Sequence, residues 1–271
     1  MDPLFNIDLF RYINEYTDLR SLCDTSVLFA SLKQYINYKL NDDYSFTYYD
    51  NISFRNIVLS KIYNPYKQLR LNLSWCNISD VSTLGNVHTL NLSLCVNIKD
   101  VSALGNVYNL NLSWCKIEDV SALGNIHTLK LSRCNITDVS ALGNVHTLDL
   151  GYCNITDVSA LGNVHALYLH NCNQITDVSA LGNVHTLDLS GCLNIDVSAL
   201  GKVHNLDLSY CKKIKNVSAL GNVYNLNLNY CDNIEDVSAL GKVHTLTDRY
   251  ITNITMSDIM TQSITTNSSN S

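Results

Sequence analysis

The sequence predicts an α/β solenoid: a parallel, concave β-sheet whose strands are joined by short 3-10 turns on the convex side, preceded by an N-terminal helical module. Three observations predict it. The motif Val-Ser-Ala-Leu-Gly, followed by a strand and a cysteine, returns from about residue 80 to residue 250. Its glycines, Gly85, Gly105, Gly124, Gly143, Gly162, Gly182, Gly201, Gly221 and Gly241, lie 19 or 20 residues apart. Cys76, Cys95, Cys115, Cys134, Cys153, Cys172, Cys192, Cys211 and Cys231 keep the same step.

A fixed period of this length carrying Leu-x-Leu-x-x-Cys is the pattern of a leucine-rich-repeat solenoid. At 46% apolar residues the chain can fill a continuous core. A formal charge of −6 and the absence of a basic run argue against a nucleic-acid surface. No apolar segment reaches the length of a membrane span. The opening Met1-Asp-Pro-Leu-Phe-Asn-Ile-Asp lacks a charged region followed by an apolar stretch, so a cytoplasmic protein with reduced thiols is expected. Sequons such as Asn77-Ile-Ser79 then carry no glycan.

Taken in order, residues 1–40 carry Leu4, Phe5, Leu9, Phe10, Ile13 and Tyr16 at helical spacing. Asp18 can cap a second helix burying Leu19 and Leu22, and Val27, Leu28, Leu32, Tyr35 and Ile36 suit a third. One function for such helices is to seal the first repeat. Residues 41–68 form a connector or cap, too apolar for a loose linker, with Pro65 expected to end it. Residues 69–250 hold nine to ten repeats of 19–20 residues. From 251 to 271 the chain is Thr-, Ser- and Asn-rich and is expected to be disordered.

The stretch Ile7-Asp-Leu-Phe-Arg-Tyr-Ile-Asn-Glu-Tyr-Thr-Asp-Leu-Arg-Ser-Leu-Cys23 resembles an F-box, with Asp18-Leu19 in the Asp-Leu place and Pro3-Leu4 where the family has Leu-Pro. Joined to leucine-rich repeats and an Asn/Ile/Tyr bias, it is most similar to the F-box/leucine-rich-repeat proteins of giant DNA viruses (mimivirus-like). That resemblance implies docking on a Skp1-type adaptor of a cullin ubiquitin ligase through Leu4, Leu9, Phe10, Ile13, Leu19 and Leu22. The solenoid would then present a target, in the host cytoplasm if viral. The short Ile-x-Asp-Val-x-x-Leu return is similar to internalin repeats. A plain interaction module with a helical cap, or an internalin-like adhesion protein, are the alternatives.

Within one repeat, Leu148 and Leu150 alternate with Thr147, Asp149 and Gly151, so the leucines face the core and the others face out. Only ten or eleven residues remain for the return, too few for a crossover helix. Asp157-Val-Ser-Ala-Leu-Gly162 should therefore be one 3-10 turn, with Asp157 capping Ser159 and Ala160, Val158 and Leu161 inward, and Gly162 left-handed. A cysteine column supplies thiols at strand spacing rather than converging on a metal ion, so it reads as buried structure. His88, His127, His146, His165, His185, His204 and His244, with Tyr108 and Tyr224 in the same slot, read as a ladder of half-exposed rings. The Asp80-to-Asp236 column, interrupted by Asn216, reads as turn caps. No unique acid, base or nucleophile set stands out, so neither enzyme nor cofactor is expected.

Function is therefore sought where the repeat does not dictate the residue. The mid-strand outward slot reads Asn72, Asn91, Asn111, Lys130, Asp149, Tyr168, Asp188, Asp207, Asn227. The slot before each cysteine reads Trp75, Leu94, Trp114, Arg133, Tyr152, Asn171, Gly191, Tyr210, Tyr230. Between them stands Ser, except at Gly151, His170 and Asn229. Trp114, Lys130, Arg133, Asp149, Tyr152, Tyr168, His170, Asp188, Asp207 and Tyr210 are the expected target-binding residues of the concave face. Asp188 beside Asp207 puts like charges together, which points to a partner with a basic segment. Outside that complex a monomer is expected.

Overall fold

Residues 38–62 and 64–248 are described by a computed structural model. They form one eleven-stranded sheet in which every strand pairs in parallel with its neighbour in the chain. Its strands are β1 (Tyr38–Lys39), β2 (Leu69–Asn72), β3 (Thr89–Asn91), β4 (Asn109–Asn111), β5 (Thr128–Lys130), β6 (Thr147–Asp149), β7 (Ala166–Tyr168), β8 (Thr186–Asp188), β9 (Asn205–Asp207), β10 (Asn225–Asn227) and β11 (Thr245–Thr247). Register is unbroken: Leu90 faces Leu110, Leu129 faces Leu148, and Leu206 faces Leu226. The same slot of every repeat therefore lies in one column.

Why the chain coils this way follows from its side chains. The alternating leucines point inward, and Leu129, Leu131, Leu148 and Leu150 are fully buried. On the convex side the return is a single 3-10 turn in most repeats, for example Ser140–Leu142 and Ser159–Leu161. Val158 and Leu161 point inward as expected, at 2% and 0% exposure. The core is one continuous stack of Leu, Val, Ile and Cys, each layer resting on the next. No layer could bury its apolar face alone.

Gly162 departs from expectation. Its φ is −62°, right-handed, so left-handed freedom is not why glycine stands there. A β-carbon on Gly162 would lie 2.5 Å from the Ala180 carbonyl oxygen, and one on Gly143 would lie 2.5 Å from that of Ala160. Successive turns approach too closely for a side chain. The left-handed residues are elsewhere, immediately before the cysteines.

Ahead of β2 the chain folds into α1 (Asp42–Asp50), α2 (Ile52–Lys61) and α3 (Pro65–Gln68). Asn41 caps α1 by accepting the Tyr44 N–H at 2.9 Å, and Asn51 caps α2 by accepting that of Phe54 at 3.0 Å. Pro65 begins α3 rather than ending the segment, because at the first helical position its missing N–H leaves no bond unmade. Tyr48 and Val58 are buried against the first layer. The buried Ser45 hydroxyl donates to the Leu40 carbonyl at 3.3 Å and accepts the Asn72 N–H at 3.1 Å, tying α1 to β2. β1 pairs with β2, so the sheet starts at Tyr38. The helices expected before residue 38 and the tail from 251 lie outside the described residues.

Candidate functional site

The concave face is bounded by two ladders. Along one edge the imidazoles stack: ring centroids are 4.5 Å apart for His127 and His146, 4.7 Å for His146 and His165, and 4.6 Å for His165 and His185. Tyr108 and Tyr224 continue the stack at 4.5 Å from His127 and 4.6 Å from His204. Nδ1 of His127, His146 and His185 lies 3.2 Å from the next threonine hydroxyl, which fixes each ring's tilt. Seven equivalent rings held by one another make a structural edge.

The opposite edge is a ridge of left-handed corners. Strands β2 to β10 each leave the sheet through a tight turn closed by the cysteine N–H, as where Cys153 donates to the Leu150 carbonyl at 3.1 Å. The third residue of that turn has positive φ: 65° at Trp75, 67° at Trp114, 60° at Arg133 and Tyr152, 61° at Tyr210 and 63° at Tyr230. Turns of this kind favour Gly or Asn, which appear only at Gly191 and Asn171. A larger residue costs about 1–2 kcal/mol in this conformation. The chain nevertheless places its two tryptophans, three tyrosines and an arginine there. Trp75, Trp114, Tyr152 and Tyr210 stand 43–77% exposed.

Behind the ridge the thiols run in a buried column. Sγ of Cys115, Cys153 and Cys192 donates to the carbonyl of Leu92, Leu131 and Leu169 at 3.2 Å, each in the preceding layer. Burial pushes the thiol of Cys95 up to about 11 and that of Cys115 to about 12. Cys76 is the half-exposed one of the nine described thiols, all of which are free. Among the described residues no three His, Cys, Asp or Glu side chains converge to hold a metal ion.

Between the ladders, most mid-strand Asn and Asp side chains have a local task. Oδ1 of Asp188 accepts the Ser190 N–H at 2.8 Å, Oδ1 of Asp207 that of Ser209 at 2.8 Å, and Oδ1 of Asp149 that of Gly151 at 3.0 Å. Asn91, Asn111 and Asn227 do the same. The slot selects Asx residues because the corner needs an acceptor two residues back. Those bonds offset part of the like-charge cost of Asp188 beside Asp207. Lys130 and Tyr168 are the residues the corner does not explain.

The expected target-binding residues fall into two groups. Around β5 and β6, the Arg133 guanidinium lies between two aromatic faces, 4.4 Å from the Trp114 centroid and 3.7 Å from that of Tyr152. Lys130 faces Asp149 in register, and the Ser132 hydroxyl donates to Asp149 at 2.6 Å. Over β7 to β11 lies a depression of about 280 Å³ whose lining includes Tyr168, Thr186, Asp188, Asn205, Asp207 and Asn227. His170 joins the groups: it meets Tyr152 edge-on at 5.4 Å and its Nδ1 is 3.7 Å from Asp188 Oδ2. Tyr210 belongs to the ridge, stacked on Tyr230 at 4.3 Å. The adaptor-docking set Leu4, Leu9, Phe10, Ile13, Leu19 and Leu22 lies outside the described residues.

Sequence reading located both columns but missed the left-handed conformation of the ridge. The signal was present: Asn171 and Gly191 share one slot with aromatics, a mixture that points to positive φ.

A leucine-rich-repeat family model matches residues 69–82 and 144–161. Among solved structures, an internalin (InlF) from Listeria monocytogenes is similar at 24% identity and a TM-score of 0.54, over 70% of this chain and 62% of that one. Internalin C2 from the same organism aligns at 28% identity and a TM-score of 0.45, over 61% and 82%. The functional domain of InlJ from Listeria monocytogenes, described as including a cysteine ladder, aligns at 22% and 0.42, over 68% and 47%. No curated protein matches. The chain thus spans about three fifths of the length of the InlF internalin. Repeat period, parallel sheet and 3-10 returns agree with the likeness: the chain has the leucine-rich-repeat solenoid fold, built with the short convex turns of an internalin.

Proposed function

We propose that the chain is a non-catalytic protein-binding adaptor whose concave face holds a target. One observation carries this reading. Six large aromatic or cationic side chains occupy left-handed corners at Trp75, Trp114, Arg133, Tyr152, Tyr210 and Tyr230, where Gly or Asn would be more stable. Strain retained by large exposed side chains along a concave surface is what a binding ridge requires and a scaffold alone does not. Trp, Tyr and Arg are also the residues that anchor protein interfaces.

The N-terminal resemblance supports a finer version of the proposal. Residues 7–23 follow the order of an F-box, so the protein would serve as the substrate-recognition subunit of a Skp1-cullin-F-box ubiquitin ligase. The test is a pull-down of the full chain with a purified Skp1-type adaptor. Binding lost on changing Ile13 and Leu22 together to Asp, with the circular dichroism unchanged, supports the ligase role. No adaptor binding by the wild-type chain at micromolar concentration removes that role and leaves a plain interaction module.

A further inference from the structure

We infer that the depression over β7 to β11 is a receptor for one arginine side chain of a partner segment, seated between the carboxylates of Asp188 and Asp207. The inference rests on the reading of the concave face as a target-binding surface and names what that part of it takes.

Asp188 and Asp207 are direct register partners on neighbouring parallel strands, so their carboxylates stand about 4.8 Å apart at the backbone. Three strands earlier in the same column the pairing is of opposite sign, Lys130 against Asp149. The face therefore balances charge at β5–β6 and leaves an anion pair at β8–β9. Among the described residues no Lys or Arg lines the depression. His170 approaches without closing a bond: its Nδ1, at 3.7 Å from Asp188 Oδ2, is beyond hydrogen-bond length.

Both carboxylates are oriented in advance. Oδ1 of each is held by a backbone N–H at 2.8 Å, from Ser190 and Ser209, and Oδ2 of Asp207 accepts from the Asn227 amide at 2.8 Å. Carboxylate oxygens have capacity for further donors, and a planar guanidinium supplies them to two acceptors at once. Tyr168 is the register partner of Asp188 and lines the depression, so an aromatic side chain stands next to the carboxylates. The chain shows how a guanidinium sits on this surface: Arg133 Cζ lies over the Tyr152 ring, 3.7 Å from its centroid. Arginine satisfies ring and carboxylates together, whereas an ammonium offers no flat face. The volume of about 280 Å³ suits a side chain and its stem.

The test is an NMR titration of the full chain with N-acetyl-arginine amide and with N-acetyl-citrulline amide, its uncharged counterpart. The Ser190 and Ser209 amides report directly, since they donate to the two carboxylates. The arginine probe should shift both saturably and bind at least tenfold more tightly than citrulline. The Asp188→Asn/Asp207→Asn variant should abolish the difference. Its fold is secured because Asn already fills this slot at Asn72, Asn91, Asn111 and Asn227, with the same bond to the corner. Equal binding of the two probes, no saturable shift with arginine, or an unaffected variant each overturns the inference. The adaptor pull-down does not involve these carboxylates, so either reading can fail while the other stands.

Discussion

The imidazole of His170 occupies the space that a side chain at Gly151 would need. A β-carbon built on Gly151 would fall 2.1 Å from His170 Nε2. Ser is the usual resident of this column, so the pair is a matched exchange in which one layer gives up its side chain and the next enlarges its own. Gly151→Ser should therefore displace the ring from Tyr152 and Asp188 and lower stability by about 1 kcal/mol. With His170→Ser added, the loss should largely vanish. A double-mutant cycle by urea denaturation measures the coupling; additive losses would show that the ring moves aside freely.

The two kinds of corner predict opposite responses. Gly162→Ala suits a φ of −62° yet drives a methyl group toward the Ala180 carbonyl, so it should cost about 1–3 kcal/mol. Trp75→Asn, at φ 65° and 77% exposure, should leave stability unchanged or raise it by up to about 1 kcal/mol. Melting temperatures of the two variants check both signs.

The thiols should react in a fixed order. Alkylation of the native protein at mild alkaline pH should modify Cys76 before the eight buried cysteines, whose thiols burial keeps protonated and shielded. Peptide mass spectrometry reads the order, and denaturant should abolish it.

Acid should weaken the fold in a window set by the imidazole ladder. Desolvation, then the neighbouring imidazoles, lowers the pKa of His146 and of His185 below the usual histidine value, and desolvation with Arg70 lowers that of His88. A histidine whose folded pKa is depressed binds its proton more readily when unfolded. Stability is thus kept above the unfolded value of about 6.5 and falls as pH drops from there toward the folded pKa. Denaturation midpoints between neutral pH and about pH 5 should decline. The His146→Tyr/His185→Tyr variant should flatten that decline, since Tyr already stacks in this slot at Tyr108 and Tyr224. The exposed Asp turn caps respond in a separate window. Hydrogen bonds from Ser159 and its equivalents lower their pKa, so their contribution is lost only at pH well below that of the histidines.

Much of the site was legible because a repeat turns sequence position into spatial position. Once the period places Leu148 and Leu150 inward, Asp149, Asp188 and Asp207 must share a column. What one repeat hides is any contact across layers whose partners differ: Arg133 between Trp114 and Tyr152, or His170 over Gly151. Each joins residues about a full period apart, and no local pattern marks them.

The sequence by itself determined the solenoid, its register, the inward leucines, the buried thiol column and the outward slots, because all of these follow from a 19- to 20-residue period and the two-residue alternation of a strand. Only the tertiary structure decided why Gly162 is glycine, which corners are left-handed, and which carboxylates have lost their freedom to the backbone. Those depend on how closely one layer rests on the next. A carbonyl 2.5 Å from an absent β-carbon, or an aromatic ring lifted out at positive φ, is a property of two stacked turns and exists in neither alone.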